Sequence, residues 1–197
     1  AFFSDDLKRE LLAPDVRAAL NGGLDGYEPF RRQYDAASHM DALSRYQYAD
    51  TRVSLPDDML TKVDRMSMAH SLEARVPLLD VGLVEFAFRL PGALKMPCLK
   101  LKHFLRETMR DSLPREILRQ PKRGFNAPMS RWLKTDLRPL VEAYLAPDVI
   151  ARQGYFQPGV VSRLVADHRA GRADYSRNLW ALLMFNLWAE QAPLSRR

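Results

Sequence analysis

Apolar residues recur at three- and four-residue intervals along almost the whole chain, and no stretch alternates them for more than a few positions. That period belongs to helices, whose side chains return to one face every turn, and not to strands, whose side chains switch faces at each residue. The chain is therefore expected to be all-α. Ser4 stands where it caps a short helix carrying Leu7 and Leu11. Phe30, Tyr34, Ala37, Met40 and Leu43 mark one longer helix. Pro56 opens another, with Met59, Leu60, Val63 and Met66 at helical spacing. Asp80 caps a helix with Leu83, Val84 and Ala87, stopped by Pro91-Gly92. Further helices carry Leu101 to Met109 and Leu137 to Tyr144. Pro158 opens one that ends at Gly171, and Ser176 caps the last, turning Leu179, Trp180, Leu183 and Leu187 inward. Met59, Met66, Met68 and Met109 read as core filling.

Two stretches break this rhythm. Ser71 to Leu79 reads as extended, because Val76 precedes Pro77 and is pushed out of the helical region. Arg119 to Pro128 reads as a loop punctuated by Pro121, Gly124 and Pro128. The chain, at 197 residues with 47% apolar and 27% charged side chains, has the composition of a globular protein. No apolar run approaches a membrane span, and Ala1-Phe2-Phe3 lacks the basic flank of a signal peptide. Cys98 is the only cysteine, which excludes an intrachain disulfide and a cysteine-based zinc site and points to a reducing, cytoplasmic setting. His39, His70, His103 and His168 are scattered, without ligand spacing, and read as surface or helix-face residues; no metal site is expected. The net charge is +6. It is local, since Lys100 to Arg138 holds eleven Lys or Arg against four Asp or Glu. Such a segment suits phosphates.

One run of residues is far more specific. Leu55-Pro56-Asp57-Asp58-Met59-Leu60-Thr61-Lys62-Val63-Asp64-Arg65-Met66-Ser67-Met68-Ala69 leads into Ser71-Leu72-Glu73-Ala74-Arg75-Val76-Pro77-Leu78-Leu79-Asp80. It resembles the asparagine-synthase family pattern L-P-x-D-x-L-x-K-x-D-R-x-S-M-A-x-S-x-E-x-R-x-P-x-L-D. The likeness continues in order through Leu113-Pro114-Arg115, Lys122-Arg123-Gly124-Phe125, Pro128 and Trp132-Leu133, and it is weak before Tyr48 and after Tyr144. The resemblance implies one helical segment over 1–197, the C-terminal half of an α/β synthetase domain of the ATP-pyrophosphatase type. Such a domain uses ATP and magnesium to form an acyl-adenylate, by default β-aspartyl-AMP, which ammonia from a glutaminase domain attacks. The family's phosphate loop, S-G-G-x-D-S, belongs upstream. Asn21-Gly22-Gly23-Leu24-Asp25-Gly26 imitates it without both serines, and Asp15 to Leu20 before it reads as a helix rather than a buried strand. A glycine pair there is a helix C-terminal cap. The resemblance therefore implies that the phosphate loop and the glutaminase domain are partners outside this chain, that the isolated chain is inactive and binds no ATP of its own, and that a homodimer is possible.

Four residues carry the expected chemistry. Lys122, in a loop bounded by Pro121 and Gly124, matches the family's lysine for pyrophosphate; a fixed cation there favours the transition state in which that group departs. Glu73 matches a glutamate of the synthetase site, where a carboxylate holds the attacking amine and assists its deprotonation. In lactam-forming relatives a tyrosine accompanies it, and Tyr46 and Tyr48 are the nearby ones here. Arg75 follows two residues on, so both side chains share a face of an extended segment, and a plain Glu73–Arg75 ion pair is an equal reading of that spacing. Asp64, nine residues before Glu73, matches a position that touches the acceptor, or else pairs with Lys62 or Arg65. Two other functions fit the charge and the helices: a basic nucleic-acid-binding module, with Phe104, Phe125 and Trp132 among the cations, or a scaffold without a site. An active-site half should bring Glu73 and Lys122 to one concavity.

Overall fold

The computed structural model describes residues 3–21, 23–122, 124 and 127–191. They are helical nearly throughout, with one isolated antiparallel bridge between Leu12 and Phe156. The chain divides into two compact units, Ala1–Gly26 with Gly124–Arg197, and Tyr27–Arg123 between them in sequence.

The first unit contains the large core. Leu179, Leu182 and Leu183 of the helix Ser176–Gln191 are almost fully buried against Val141, Leu145, Ile150, Val161 and Leu164. Leu11, at the end of the helix Asp5–Leu11, joins them, held by the bonds from Ala13 N–H to the Tyr155 carbonyl (2.9 Å) and from Gln157 N–H to the Leu11 carbonyl (2.8 Å). Local signals behave as expected. Ser4 accepts from Leu7 N–H, Pro158 opens Pro158–Arg169, and Pro14–Ala19 is the short helix foreseen before the glycine pair. The left-handed residue after that helix is Asn21, at φ 46°; Gly22 lies outside the described residues. Ser176 does not cap the last helix with its side chain. The Asp174 carboxylate accepts its N–H at 2.9 Å, which holds Asp174 below the usual carboxylate range. His168 also departs from the bland reading. It is buried, and its Nε2 lies 3.2 Å from the Ser130 carbonyl while Nδ1 accepts from Tyr175 N–H at 3.2 Å. One neutral tautomer satisfies both bonds, so the ring ties three segments of the unit together.

The second unit is built differently. Its buried residues are Ala37, Ser44, Ala49 and Gly92, all of them small. The expected single helix from Phe30 to Leu43 is two, Glu28–Ala36 and Ala42–Arg52. Asp41 ends the continuity by capping the second, accepting from Ser44 N–H (3.1 Å) and Ser44 Oγ (2.8 Å). Arg45 ties the pair, its guanidinium 3.9 Å from the Tyr34 ring centre and its Nε donating to the Tyr34 carbonyl. A π-helical stretch, Leu55–Leu60, runs directly into the α-helix Thr61–Met68, an irregularity that occurs often at functional sites. Residues 72–76 are neither helix nor strand, with Val76 outside the helical region at φ −122° and ψ 70°, a 3₁₀ turn covers Pro77–Leu79, and Asp80 caps Val81–Arg89 by accepting from Leu83 N–H. The stop at Pro91-Gly92 is followed at once by the short helix Gly92–Lys95. His103–Thr108 and Arg115–Arg119 complete the unit. Its apolar stripes face outward: Met59, Met66 and Met68 are all more than half exposed, as are Leu72 and Leu78. Met59, Met66 and Met68 are therefore not core filling within this unit, whereas Met109 is half-buried.

Candidate functional site

Lys122 stands at the rim of a concavity of about 530 Å³ in the second unit, walled by Leu78, Phe86, Phe104 and Leu105. Lys95 and Lys102 border the same concavity. Leu78, Lys102 and Lys122 also meet at an adjoining one of about 430 Å³. Three lysines thus border an apolar hollow to which Leu78, of the 3₁₀ turn after Glu73 and Arg75, contributes a wall. The loop that carries Lys122 is braced from below, since Arg106 donates to the Gln120 carbonyl at 2.6 Å.

Neither Lys95 nor Lys102 stands out in the sequence. Lys102 adopts φ 59°, a left-handed conformation that is uncommon for a residue with a β-carbon, and Cys98 and Leu99 just before it do the same. Three such residues within five positions concentrate backbone strain beside the concavity, and strain of this kind clusters at functional sites. Lys95 is fixed by bonds to Ser44 Oγ (2.9 Å) and Gln47 Oε1 (2.8 Å). Burial pushes its pKa below the ordinary value, and the Asp41 charge opposes that shift. Asp41 itself is held below the usual carboxylate range by the Ser44 hydroxyl, then by the Ser44 and Gly92 N–H groups and the charge on Lys95.

Glu73 and Arg75 form an ion pair at 3.0 Å with both side chains exposed, 68% and 82%. A pair that open to water contributes about 0–1 kcal/mol. Lys122 lines both of these concavities, and Glu73, Arg75 and Asp64 line neither. Asp64 is exposed and makes no ion pair among the described residues; Lys62 pairs instead with Asp58 at 3.6 Å. Tyr46 packs on Tyr34 and Phe30, and Tyr48 lies edge-on to Phe88. Phe125 and Arg123 fall outside the described residues.

The family model described as asparagine synthase matches residues 4–190. This chain belongs to the asparagine synthase family. An asparagine synthetase [glutamine-hydrolyzing] 1 from Bacillus subtilis is 30% identical over 186 residues, 94% of this chain and 28% of that protein. A putative glutamine-hydrolyzing asparagine synthetase from Mycobacterium bovis is 35% identical over 156 residues, 79% of this chain and 24% of its own length. The human asparagine synthetase [glutamine-hydrolyzing] is 32% identical over 139 residues, 60% of this chain and 24% of that protein. The chain thus spans about a quarter of the length of these relatives. No solved structure matches it. The asparagine-synthase motif at 55–80 falls wholly inside the unit that buries only small residues. No helix among the described residues is long and apolar enough to cross a membrane.

Proposed function

We propose that this chain is the helical C-terminal part of an ATP-dependent, glutamine-using synthetase that amidates a carboxylate, aspartate by default. The observation that carries the reading is the exposure of the motif segment. Of residues 61–78, Ser67 alone is even partly buried. A short helix and an irregular segment left this exposed are marginal on their own. Their apolar side chains call for a cover, and an ATP-binding half of the same synthetase domain supplies one.

In that setting the acceptor carboxylate attacks the α-phosphorus of ATP, the bond to pyrophosphate breaks, and an acyl-adenylate forms. Lys122 and Lys102 stabilise the charge that grows on the departing pyrophosphate. Lys95, held by Ser44 and Gln47, adds a fixed positive charge to the same hollow. Ammonia then attacks the acyl carbon, AMP leaves, and Glu73 takes the surplus proton from the nitrogen, with Arg75 keeping that carboxylate oriented. Asp64 contacts the acceptor. The phosphates of ATP fit this cluster of ammonium groups; magnesium, which neutralises phosphate charge, finds no group of three or more His, Cys, Asp or Glu among the described residues. The site lies in a cytoplasmic enzyme whose other parts hold the nucleotide and release the ammonia.

The test uses the full-length protein with glutamine, ATP and aspartate. Glu73→Ala should keep glutamine hydrolysis and lose about 10²–10⁴-fold in amide formation. Lys122→Ala should lose roughly 10²–10³-fold in pyrophosphate release, by analogy with a removed oxyanion donor, and Lys122→Arg should restore it only in part. Arg138→Ala should do little, since Arg138 is tied to Glu142 at 2.8 Å on a helix face. Equal, small losses for Lys122→Ala and Arg138→Ala would overturn the assignment. So would clear micromolar binding of ATP by the isolated chain that excess tripolyphosphate fails to displace.

A further inference from the structure

On the far side of Lys122 lies a second, wider depression of about 770 Å³, whose lining includes Lys100, Arg106, Arg110, Arg115, Arg119 and Lys122. Glu107 is the single acid there, and it is taken by Arg110. Arg106 is committed to the Gln120 carbonyl. That leaves the side chains of Lys100, Arg115, Arg119 and Lys122 without a hydrogen bond or an ion pair among the described residues, all four exposed and bordering one trough. Like charges gathered this closely repel one another, and a trough of a single sign concentrates counter-ions. Lys122 is shared between the trough and the apolar hollow.

We propose that this trough binds a multiply charged inorganic phosphate and is the path by which pyrophosphate leaves the site. The proposal rests on the synthetase reading for the source of the anion, and on the trough alone for its chemistry. Four unpaired cations around one trough suit an anion with several charged oxygens better than a single phosphate. Lys122 would hold the anion first, and Arg115 and Arg119, with planar guanidinium groups that take phosphate oxygens two at a time, would draw it outward. Among the described residues the trough has no phenylalanine, tyrosine or tryptophan in its lining. A single-stranded nucleic acid would find phosphate contacts there but no ring on which to stack its bases.

The first experiment is calorimetry of this chain with inorganic pyrophosphate, tripolyphosphate and monophosphate, at low and at physiological salt. Pyrophosphate and tripolyphosphate should bind, monophosphate should bind much more weakly, and affinity should fall as salt rises. The double variant Arg115→Ala/Arg119→Ala should bind roughly 2- to 30-fold more weakly, the range for losing two exposed charge contacts. Neither side chain makes a bond whose loss would disturb the fold, and an unchanged circular-dichroism spectrum checks this. An absence of binding, equal affinity for monophosphate, or an unchanged double variant would overturn the proposal. Tighter binding of a mixed-sequence 12-nucleotide strand than of tripolyphosphate, lost in the same variant, would overturn it in favour of nucleic acid. The second experiment is product inhibition of the full-length protein. The double variant should raise the inhibition constant for pyrophosphate by the same factor and leave amide formation at saturating substrate unchanged. If the full-length protein makes no amide while the chain still binds pyrophosphate through Arg115 and Arg119, the synthetase reading fails and the trough stands.

Discussion

Gly92 begins a helix at a crowded point. Its N–H donates to Asp41 Oδ2 at 3.2 Å, and a β-carbon there would overlap the other carboxylate oxygen and approach Asp41 Cγ to 3.0 Å and Leu43 Cβ to 3.2 Å. In Gly92→Ala the carboxylate must swing away. That loses the cap of Ala42–Arg52, worth about 0.5–2 kcal/mol, and the bond to Gly92, worth about 0.5–1.5 kcal/mol. The alanine returns about 0.4–1 kcal/mol by restricting the unfolded chain. The net loss is about 1.5 kcal/mol, or tenfold in an opening equilibrium. Gly159 is the control. It lies in the first turn of Pro158–Arg169 with open space where a β-carbon would go, so Gly159→Ala should stabilise its own unit by the 0.4–1 kcal/mol alone. Because the two glycines lie in different units, the assay is amide hydrogen exchange, read at Ala42–Arg52 for Gly92→Ala and at Pro158–Arg169 for Gly159→Ala. Protection should fall about tenfold in the first and rise slightly in the second. A rise in both, or a Gly92→Ala loss that persists in full when Asp41 is already alanine, would refute the role given to the Asp41 carboxylate.

The same carboxylate predicts a pH dependence. Its folded-state pKa is lowered, chiefly by the Ser44 hydroxyl, so its contribution is fully present above the unfolded value of about 3.9 and is lost as pH falls through the lowered folded value; protection of Ala42–Arg52 should be flat from about pH 5 upward and decline below about pH 4, a decline absent from Asp41→Asn. His168→Phe puts a somewhat larger flat ring in place of the imidazole and strands the Ser130 carbonyl and the Tyr175 N–H, and should destabilise the first unit by about 2–5 kcal/mol in urea unfolding; stability equal to the parent's would show that the ring matters only for its shape. Leu72→Asp should cost under about 0.5 kcal/mol in this chain, where Leu72 is 64% exposed. In the full-length protein the same change should lower synthetase turnover and thermal stability together, and an unaffected full-length protein would mean that nothing covers this face.

What could be read from the sequence was local. Ser4, Asp80 and Pro158 each announce a helix start within a turn of themselves, and each does so in the structure. The break at Asp41 escaped because Ala37, Met40 and Leu43 happen to continue the spacing set by Phe30 and Tyr34. The signal was present in Asp41 followed three residues later by Ser44, whose N–H it accepts. Lys95 and Lys102 were illegible for other reasons. Lys95 is tied to Ser44, 51 residues away, and the φ that sets the backbone at Lys102 leaves no mark on residue type. Periodicity also says that one face of Leu55–Met68 is apolar without saying what lies against it, which is why Met59 and Met66 read as core and stand in the open.

The segment before Pro77 shows how an uncovered surface and a site can be one device. Leu72, Ala74 and Val76 fall on one side of the alternation, and Glu73 and Arg75 on the other. Leu72 and Val76 are 64% and 48% exposed, so a cover laid on that side removes apolar surface from water at roughly 25 cal/mol per Å². Two large side chains going from about half exposed to buried yield on the order of 2 kcal/mol, several times what the exposed Glu73–Arg75 pair contributes. The apolar face therefore decides the orientation of the segment, and the polar pair follows it. Glu73 needs no tight contact within its own unit to be held for chemistry. On the proposed reading it needs Leu72 and Val76 to be covered, which would tie proton transfer at Glu73 to the docking of the part proposed to bring the nucleotide.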